Sequence, residues 1–133
     1  MVNFLRPLAD RSQAHLVLVN KRSGAVLATD LLPALDSATR RTGLLKHTSL
    51  PQGTAMVIAP TNAIHTWFMR FAIDVIFVAR DGRVLKVRHA MRPWRMSATL
   101  RGYAVVEMQG GTLANLAVSP GDVLAVVSRS ETA

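Results

Sequence analysis

Ile64-His65-Thr66-Trp67-Phe68-Met69-Arg70-Phe71-Ala72-Ile73-Asp74-Val75-Ile76-Phe77-Val78-Ala79-Arg80-Asp81-Gly82-Arg83-Val84-Leu85 decides the fold class of this chain. Residues 73–80 and 83–89 are rich in β-branched side chains, and Asp81-Gly82 between them suits the positive φ angles of a two-residue type I′ turn. The stretch predicts a β-hairpin. Such a turn sets Arg80 opposite Arg83, Val78 opposite Leu85, Ile76 opposite Val87 and Asp74 opposite His89, all on one side of the ribbon. Upstream, an extended 65–71 segment alternates, with Trp67, Met69 and Phe71 on one face and Thr66, Phe68 and Arg70 on the other. We expect Trp67 in the core and Arg70 at the surface.

Working outward, segments 15–20 and 25–32 flank Lys21-Arg22-Ser23-Gly24 and read as an opening hairpin. Asp36 or Ser37 can N-cap a short helix running through Arg41, with Gly43 near its end. Leu50-Pro51-Gln52-Gly53 is a turn, 55–59 a short strand, and Pro60-Thr61-Asn62 a break. Residues 103–108 and 123–127 supply further strands. Between them Gly110-Gly111-Thr112 leads into a short helix near 113–116, and Ser119-Pro120-Gly121-Asp122 turns the chain. The pattern predicts an α+β, predominantly β fold: a single compact domain of about seven short strands in a curled or barrel-like sheet with two short helices.

At 133 residues the chain fits one core. Its apolar runs are short and stay well below the ~20 residues of a membrane helix. The N-terminal ten residues lack the apolar segment and cleavage site of a secretory signal, so the expectation is a soluble, cytoplasmic protein. There are no cysteines, which excludes disulfides, thiolate zinc sites and cysteine nucleophiles. Sixteen Lys and Arg against eight Asp and Glu give a net charge of +8, a balance that favours anionic partners. Arg83, Lys86, Arg88, Arg92, Arg95 and Arg101 fall in the stretch 83–101 with no acidic residue among them.

The order Thr39-Arg40-Arg41-Thr42-Gly43-Leu44-Leu45, His65-Thr66-Trp67-Phe68-Met69-Arg70, Ile73-Asp74-Val75-Ile76-Phe77-Val78, Asp81-Gly82, Pro93-Trp94, Glu107-Met108-Gln109-Gly110-Gly111-Thr112 and Pro120-Gly121-Asp122 resembles the DUF192 family of small prokaryotic domains of undetermined function. The resemblance covers about residues 26–128, leaving 1–14 as an N-terminal extension of a 1–133 domain. It implies a compact β-rich fold and carries over no reaction, cofactor or catalytic residue. Many relatives look secreted or lipid-anchored and have Trp-Met-Lys-Asn where this chain has Phe68-Met69-Arg70-Phe71.

Several constellations carry chemistry. Asp74 and His89, with His65, can form an acid–base or metal-binding cluster; the plainer alternative has Asp74 bonded to local backbone amides. Trp67 and Arg70 can form a stacking surface and an anion anchor, or pack as core with Arg70 paired to an acid such as Glu107. Arg92-Pro93-Trp94-Arg95 can grip phosphates while Trp94 stacks on a base, or can be a solvated loop pinned by Trp94. No nucleophile elbow, phosphate loop or histidine pair with metal-ligand spacing is present.

The sequence thus points to a binding or accessory domain, leaning away from an enzyme, with no cofactor or metal. It would recognise an unknown protein or a small anionic ligand through His65, Trp67, Arg70, Asp74, His89, Trp94, Arg95 and Glu107. Two alternatives remain: a hydrolytic or metal-assisted enzyme using His65, Asp74, His89 and Glu107, and a nucleic-acid-binding module using 83–101. Oligomeric state is left open.

Overall fold

A computed structural model describes residues 3–10 and 15–129 of the chain. The described strands are β1 (Leu16–Asn20), β2 (Val26–Ala28), β3 (Asp30–Ala34), β4 (Thr54–Ile58), β5 (Ala63–His65), β6 (Ile73–Val78), β7 (Val84–Met91), β8 (Met96–Ala98), β9 (Ala104–Gln109) and β10 (Leu124–Ser128). Two short helices, α1 (Arg6–Ala9) and α2 (Ser37–Thr42), and a 3₁₀ turn at Thr112–Asn115 complete the set. The strands form a five-stranded sheet in the order β3-β4-β9-β6-β7, a three-stranded sheet β10-β1-β2 and a two-stranded arm β5-β8.

The fold is β-rich, as expected, with two short helices among the described residues, of which only α2 stands where a helix was predicted. The strands are more numerous than the predicted seven, and among the described residues they divide between three sheets instead of closing a barrel. One cause lies in the predicted second strand, 25–32. After Ala28 the chain leaves β1; Thr29 and Asp30 both donate to the Gly53 carbonyl, at 2.8 and 3.1 Å, and β3 pairs in parallel with β4. Pro33, one residue beyond the predicted strand 25–32, lies inside β3. It is tolerated because β3 is an edge strand, where a missing N–H breaks no ladder.

The large sheet is buried on both faces, which is why β4, β6 and β9 read as near-continuous apolar runs. Val57, Ile76, Val78, Val106 and Met108 face one core with Leu18 and Leu124. Met56, Ile58, Val75, Phe77 and Val105 face the other, covered by Leu44, Leu50, Ile64, Met69 and Phe71. Residues 3–10 of the N-terminal extension pack as part of the fold: Phe4, Leu5 and Leu8 join the first core, and the Phe4 N–H donates to the Arg80 carbonyl at 3.0 Å. Residues 1, 2 and 11–14 of that extension lie outside the described residues.

The helix predicted after Pro33 is α2, with the Asp36 side chain accepting from the Thr39 N–H and Gly43 at its C-terminal end. The second predicted helix, near 113–116, is only the single 3₁₀ turn.

The β6–β7 hairpin forms, with a different turn. The Ala79 N–H donates to the Arg83 carbonyl at 2.8 Å and the Gly82 N–H to the Ala79 carbonyl at 2.9 Å, so the loop holds three residues, not two. Gly82 takes φ +96, and a Cβ there would collide with the Leu124 carbonyl. The glycine therefore closes the turn and admits β10 beside it. Val78 consequently faces Val84 instead of Leu85; an irregularity restores Ile76 opposite Val87, and a second bulge separates the Val75–Arg88 and Ile73–Met91 pairs.

Candidate functional site

That second bulge decides the fate of Asp74. Ala90 is driven to φ +47, and its N–H donates to Asp74 Oδ1 at 2.7 Å. Leu113, at the 3₁₀ turn, donates its N–H to Asp74 Oδ2, also at 2.7 Å. With both oxygens taken by backbone amides and the side chain fully buried, Asp74 bolts three segments together. His89 points outward and is exposed. The plainer of the two readings of Asp74 describes the geometry, and the proposed Asp74–His89–His65 cluster does not assemble. Among the described residues no three His, Asp or Glu side chains converge to hold a metal ion.

Glu107 has the opposite environment. It sits on β9, the middle strand of the five, between Met56 and Val75 on the neighbouring strands. It is 4% exposed, and among the described residues its carboxyl has no hydrogen-bond or ionic partner. Burial alone pushes it up to about 7, because the charged form loses its hydration. The pairing with Arg70 weighed from the sequence does not occur; Arg70 is exposed and Glu107 faces a cavity.

That cavity, about 410 Å³, lies between the large sheet, α2 with the loop that follows it, and the β5 segment. Its walls include Leu44, Ile58, Ile64 and Met69, with Arg40, Arg41, His65 and Glu107 as charged or titratable members. Apolar walls with a few polar groups in a volume of this size are what small-molecule sites look like. Arg40 is half fixed, donating from Nη1 to the Leu35 and Ala59 carbonyls at 3.0 and 3.4 Å. Arg41 is exposed. The structure thus brings together two of the sequence candidates, His65 and Glu107, and adds the two α2 arginines. Sequence reasoning passed over those arginines because a cap and a helix give no hint of which sheet the helix covers.

A second group gathers beside the cavity. The 65–71 segment is not extended: the Met69 N–H closes a turn onto the Thr66 carbonyl at 3.1 Å, with Phe68 at φ +66. Trp67 is therefore 42% exposed and Phe68 70%, and the expectation that Trp67 lies in the core is overturned. The expectation rested on strand alternation, which a turn abolishes. Buried Thr66 locks this turn to the 92–95 loop, donating from Oγ1 to the Arg92 carbonyl at 2.7 Å and accepting from the Arg95 N–H at 2.9 Å. Trp94 stands at φ +65, 59% exposed, its ring edge-on to Phe68 at 4.8 Å. His65 stacks on Trp67 at 4.6 Å and pairs across the arm with Met96, which is 63% exposed.

Since Trp67 already meets water, Trp67→Ala is expected to change the unfolding free energy by no more than ~1 kcal/mol, against ~3–5 for an aromatic deleted from a core. Urea denaturation reads the difference directly. A loss above ~3 kcal/mol would return Trp67 to the core.

The basic stretch 83–101 is not a uniform free surface. Lys86 Nζ donates to the Ala98 carbonyl at 3.1 Å and Arg88 Nη1 to Ser97 Oγ at 3.2 Å, so both hold the arm against β7. Arg83, Arg92 and Arg95 remain exposed.

The DUF192 profile, described as "Uncharacterized ACR", matches residues 18–126. The chain belongs to the DUF192 family. A crystal structure of a protein of unknown function from Novosphingobium aromaticivorans DSM 12444 superposes with TM-score 0.70 at 24% identity, covering 84% of this chain and 83% of the other. A second, from Sinorhizobium meliloti 1021 and provisionally named a transcription regulator, gives TM-score 0.72 at 22% identity over 84% and 92%. At these identities the likeness is one of fold. No curated protein matches the chain. Neither the family description nor the Novosphingobium aromaticivorans neighbour assigns a reaction. No helix among the described residues is long and apolar enough to cross a membrane.

The motifs that carried the resemblance separate by role in this DUF192 chain. In Glu107-Met108-Gln109-Gly110-Gly111-Thr112 only Glu107 enters the cavity. Gln109 Oε1 accepts from the Leu50 N–H at 2.8 Å, and a Cβ at Gly110 would sit 2.9 Å from the Ala72 carbonyl. Asp122 of Pro120-Gly121-Asp122 accepts from Arg22 Nε at 2.6 Å, Asn20 Nδ2 at 3.0 Å and the Ser119 N–H at 2.9 Å. The Arg22 guanidinium, followed by these amides, holds the Asp122 carboxyl well below the usual range. It is a latch between the β1–β2 turn and the approach to β10.

Proposed function

We propose that this domain binds a small ligand with two polar ends, an anionic group held at the α2 arginines and a hydrogen-bonding group received by Glu107. The observation that carries the reading is the Glu107 carboxyl, buried on the central strand with no protein partner and lining a cavity. A carboxyl desolvated by its surroundings, with no protein group to bond it, is free to take its hydrogen bond from a molecule in the cavity. Arg41, exposed beside the cavity, supplies positive charge, while Leu44, Ile58, Ile64 and Met69 suit an apolar body between the two ends. His65 adds a titratable group to the wall. Of the sequence candidates, Asp74 and His89 play no part in this reading.

The test is a panel of amino acids, hydroxy acids and sugar phosphates, followed by amide chemical-shift mapping on the labelled protein. Members with both an anionic and a hydrogen-bonding end are expected to perturb residues 40–45, 64–65 and 107 together, and Glu107→Gln and Arg41→Glu each to weaken that response at least about tenfold, the loss of one charge-assisted contact. Perturbations confined to other surfaces, or unchanged in both variants, would refute the assignment. A second reading has one observation in its favour: a carboxyl poised near neutrality is suited to general acid–base work. Mass spectrometry of the bound compound separates the two, since a binding domain returns it unchanged.

A further inference from the structure

The cavity lining leaves out the exposed side chains of the neighbouring turns, Trp67, Phe68 and Trp94. We infer that turns 66–69 and 92–95 dock this chain onto an anionic lipid bilayer. Trp67, Phe68, Trp94 and Met96 are 42%, 70%, 59% and 63% exposed, and buried Thr66 ties the two turns into one unit. Exposure this high on turn tips describes a projection. Arg92 and Arg95 are exposed in the second turn and Arg70 directly after the first, and no acidic residue occurs in 64–73 or 82–106. Exposed aromatic rings with exposed arginines next to them in the chain match the interfacial zone of a membrane, where aromatic rings settle at headgroup level and each cation near an anionic surface adds ~1 kcal/mol.

Two other occupants fit less well. Bases of a single strand need free ring faces, whereas Phe68 and Trp94 already meet edge to face at 61° and one face of Trp67 is covered by His65. A stable protein interface buries ~800 Å² on each partner. Four partly exposed side chains, at ~150–250 Å² for a whole aromatic, offer roughly 600 Å² at most.

The chain has two tryptophans, and both lie in these turns, so the full-length protein reports its own docking. Sedimentation with phosphatidylcholine–phosphatidylglycerol vesicles at about 0.15 M salt is expected to bring the protein down, with blue-shifted emission and quenching by brominated acyl chains. Phosphatidylcholine vesicles alone should bind far less. Phe68→Ser should weaken partition about tenfold, the effect of withdrawing one aromatic from an apolar contact. Arg92→Glu with Arg95→Glu should abolish the preference for phosphatidylglycerol. Circular dichroism confirms that each variant folds.

Several results would overturn the inference: no sedimentation with either vesicle, or sedimentation without a spectral shift, which means adsorption of a basic surface with both tryptophans still in water. Vesicle binding undiminished in Phe68→Ser would do the same. So would a blue shift in concentrated protein alone with dimer in the ultracentrifuge, which assigns the turns to a second copy, or quenching of both tryptophans by a single-stranded oligonucleotide that outcompetes the vesicles.

Discussion

Asp74→Ala is expected to lower the unfolding free energy by about 3–5 kcal/mol, the worth of two buried hydrogen bonds to an acidic side chain. The side chain has no solvent exposure, and its oxygens accept at 2.7 Å from Ala90 and Leu113. Alanine would leave both amides without their acceptor, the Leu113 amide in a fully buried position. Asn keeps one acceptor oxygen and turns an NH₂ toward the other amide, so Asp74→Asn should lose a large part of the same stability. Urea denaturation should show the midpoint falling with the slope unchanged. If Asp74→Ala unfolds within ~1 kcal/mol of the parent yet no longer binds the ligand of the Glu107 cavity, Asp74 belongs to the site after all and the structural assignment is wrong.

Glu107→Gln is expected to act in the opposite direction, and only at neutral and alkaline pH. In the folded chain the carboxyl is pushed up to about 7, against an ordinary value of 4.5. Between those two values the native state holds a proton that the unfolded chain has released, so raising the pH favours unfolding. Below about 4.5 both states are protonated and the residue contributes no such penalty; above about 7 both are ionised and the penalty is complete. Its size follows from the gap between the two values and is about 2–4 kcal/mol. Glutamine is neutral throughout. The variant should therefore be more stable than the parent by that amount at pH ~8, and the advantage should vanish by pH ~4. Denaturation curves at acid, neutral and alkaline pH decide the matter, and a difference that stays flat with pH would mean that the parent carboxyl is not desolvated. The penalty has a functional corollary: a ligand that donates to Glu107 relieves it, so binding should stabilise the parent more at pH ~8 than at pH ~5.

Much that was legible in the sequence is local. A cap at Asp36 or Ser37 and the Gly43 stop define α2, Asp81-Gly82 announces the β6–β7 hairpin, and apolar runs mark β4, β6 and β9 as strands. These readings hold because propensity, capping and turn chemistry depend on a handful of neighbours in the chain. Composition likewise settled the absence of thiol chemistry and the excess of positive charge. The order of the family motifs was legible too, but not their division of labour: Glu107 enters the cavity, whereas Gln109, Gly110 and Asp122 brace the frame.

What only the tertiary structure decided depends on groups far apart in the chain. A single extra residue at Ala90 turned an amide, and not the His89 imidazole, toward Asp74, while the second amide came from Leu113 across the sheet. Trp67 left the core because one hydrogen bond from Met69 to Thr66 replaced an extended strand with a turn. Glu107 lines a cavity because α2 and β5 close over the central strand without offering its carboxyl a partner. Bulges, turn closures and the satisfaction of buried polar atoms are set by three-dimensional neighbours, which strand alternation and residue type do not encode.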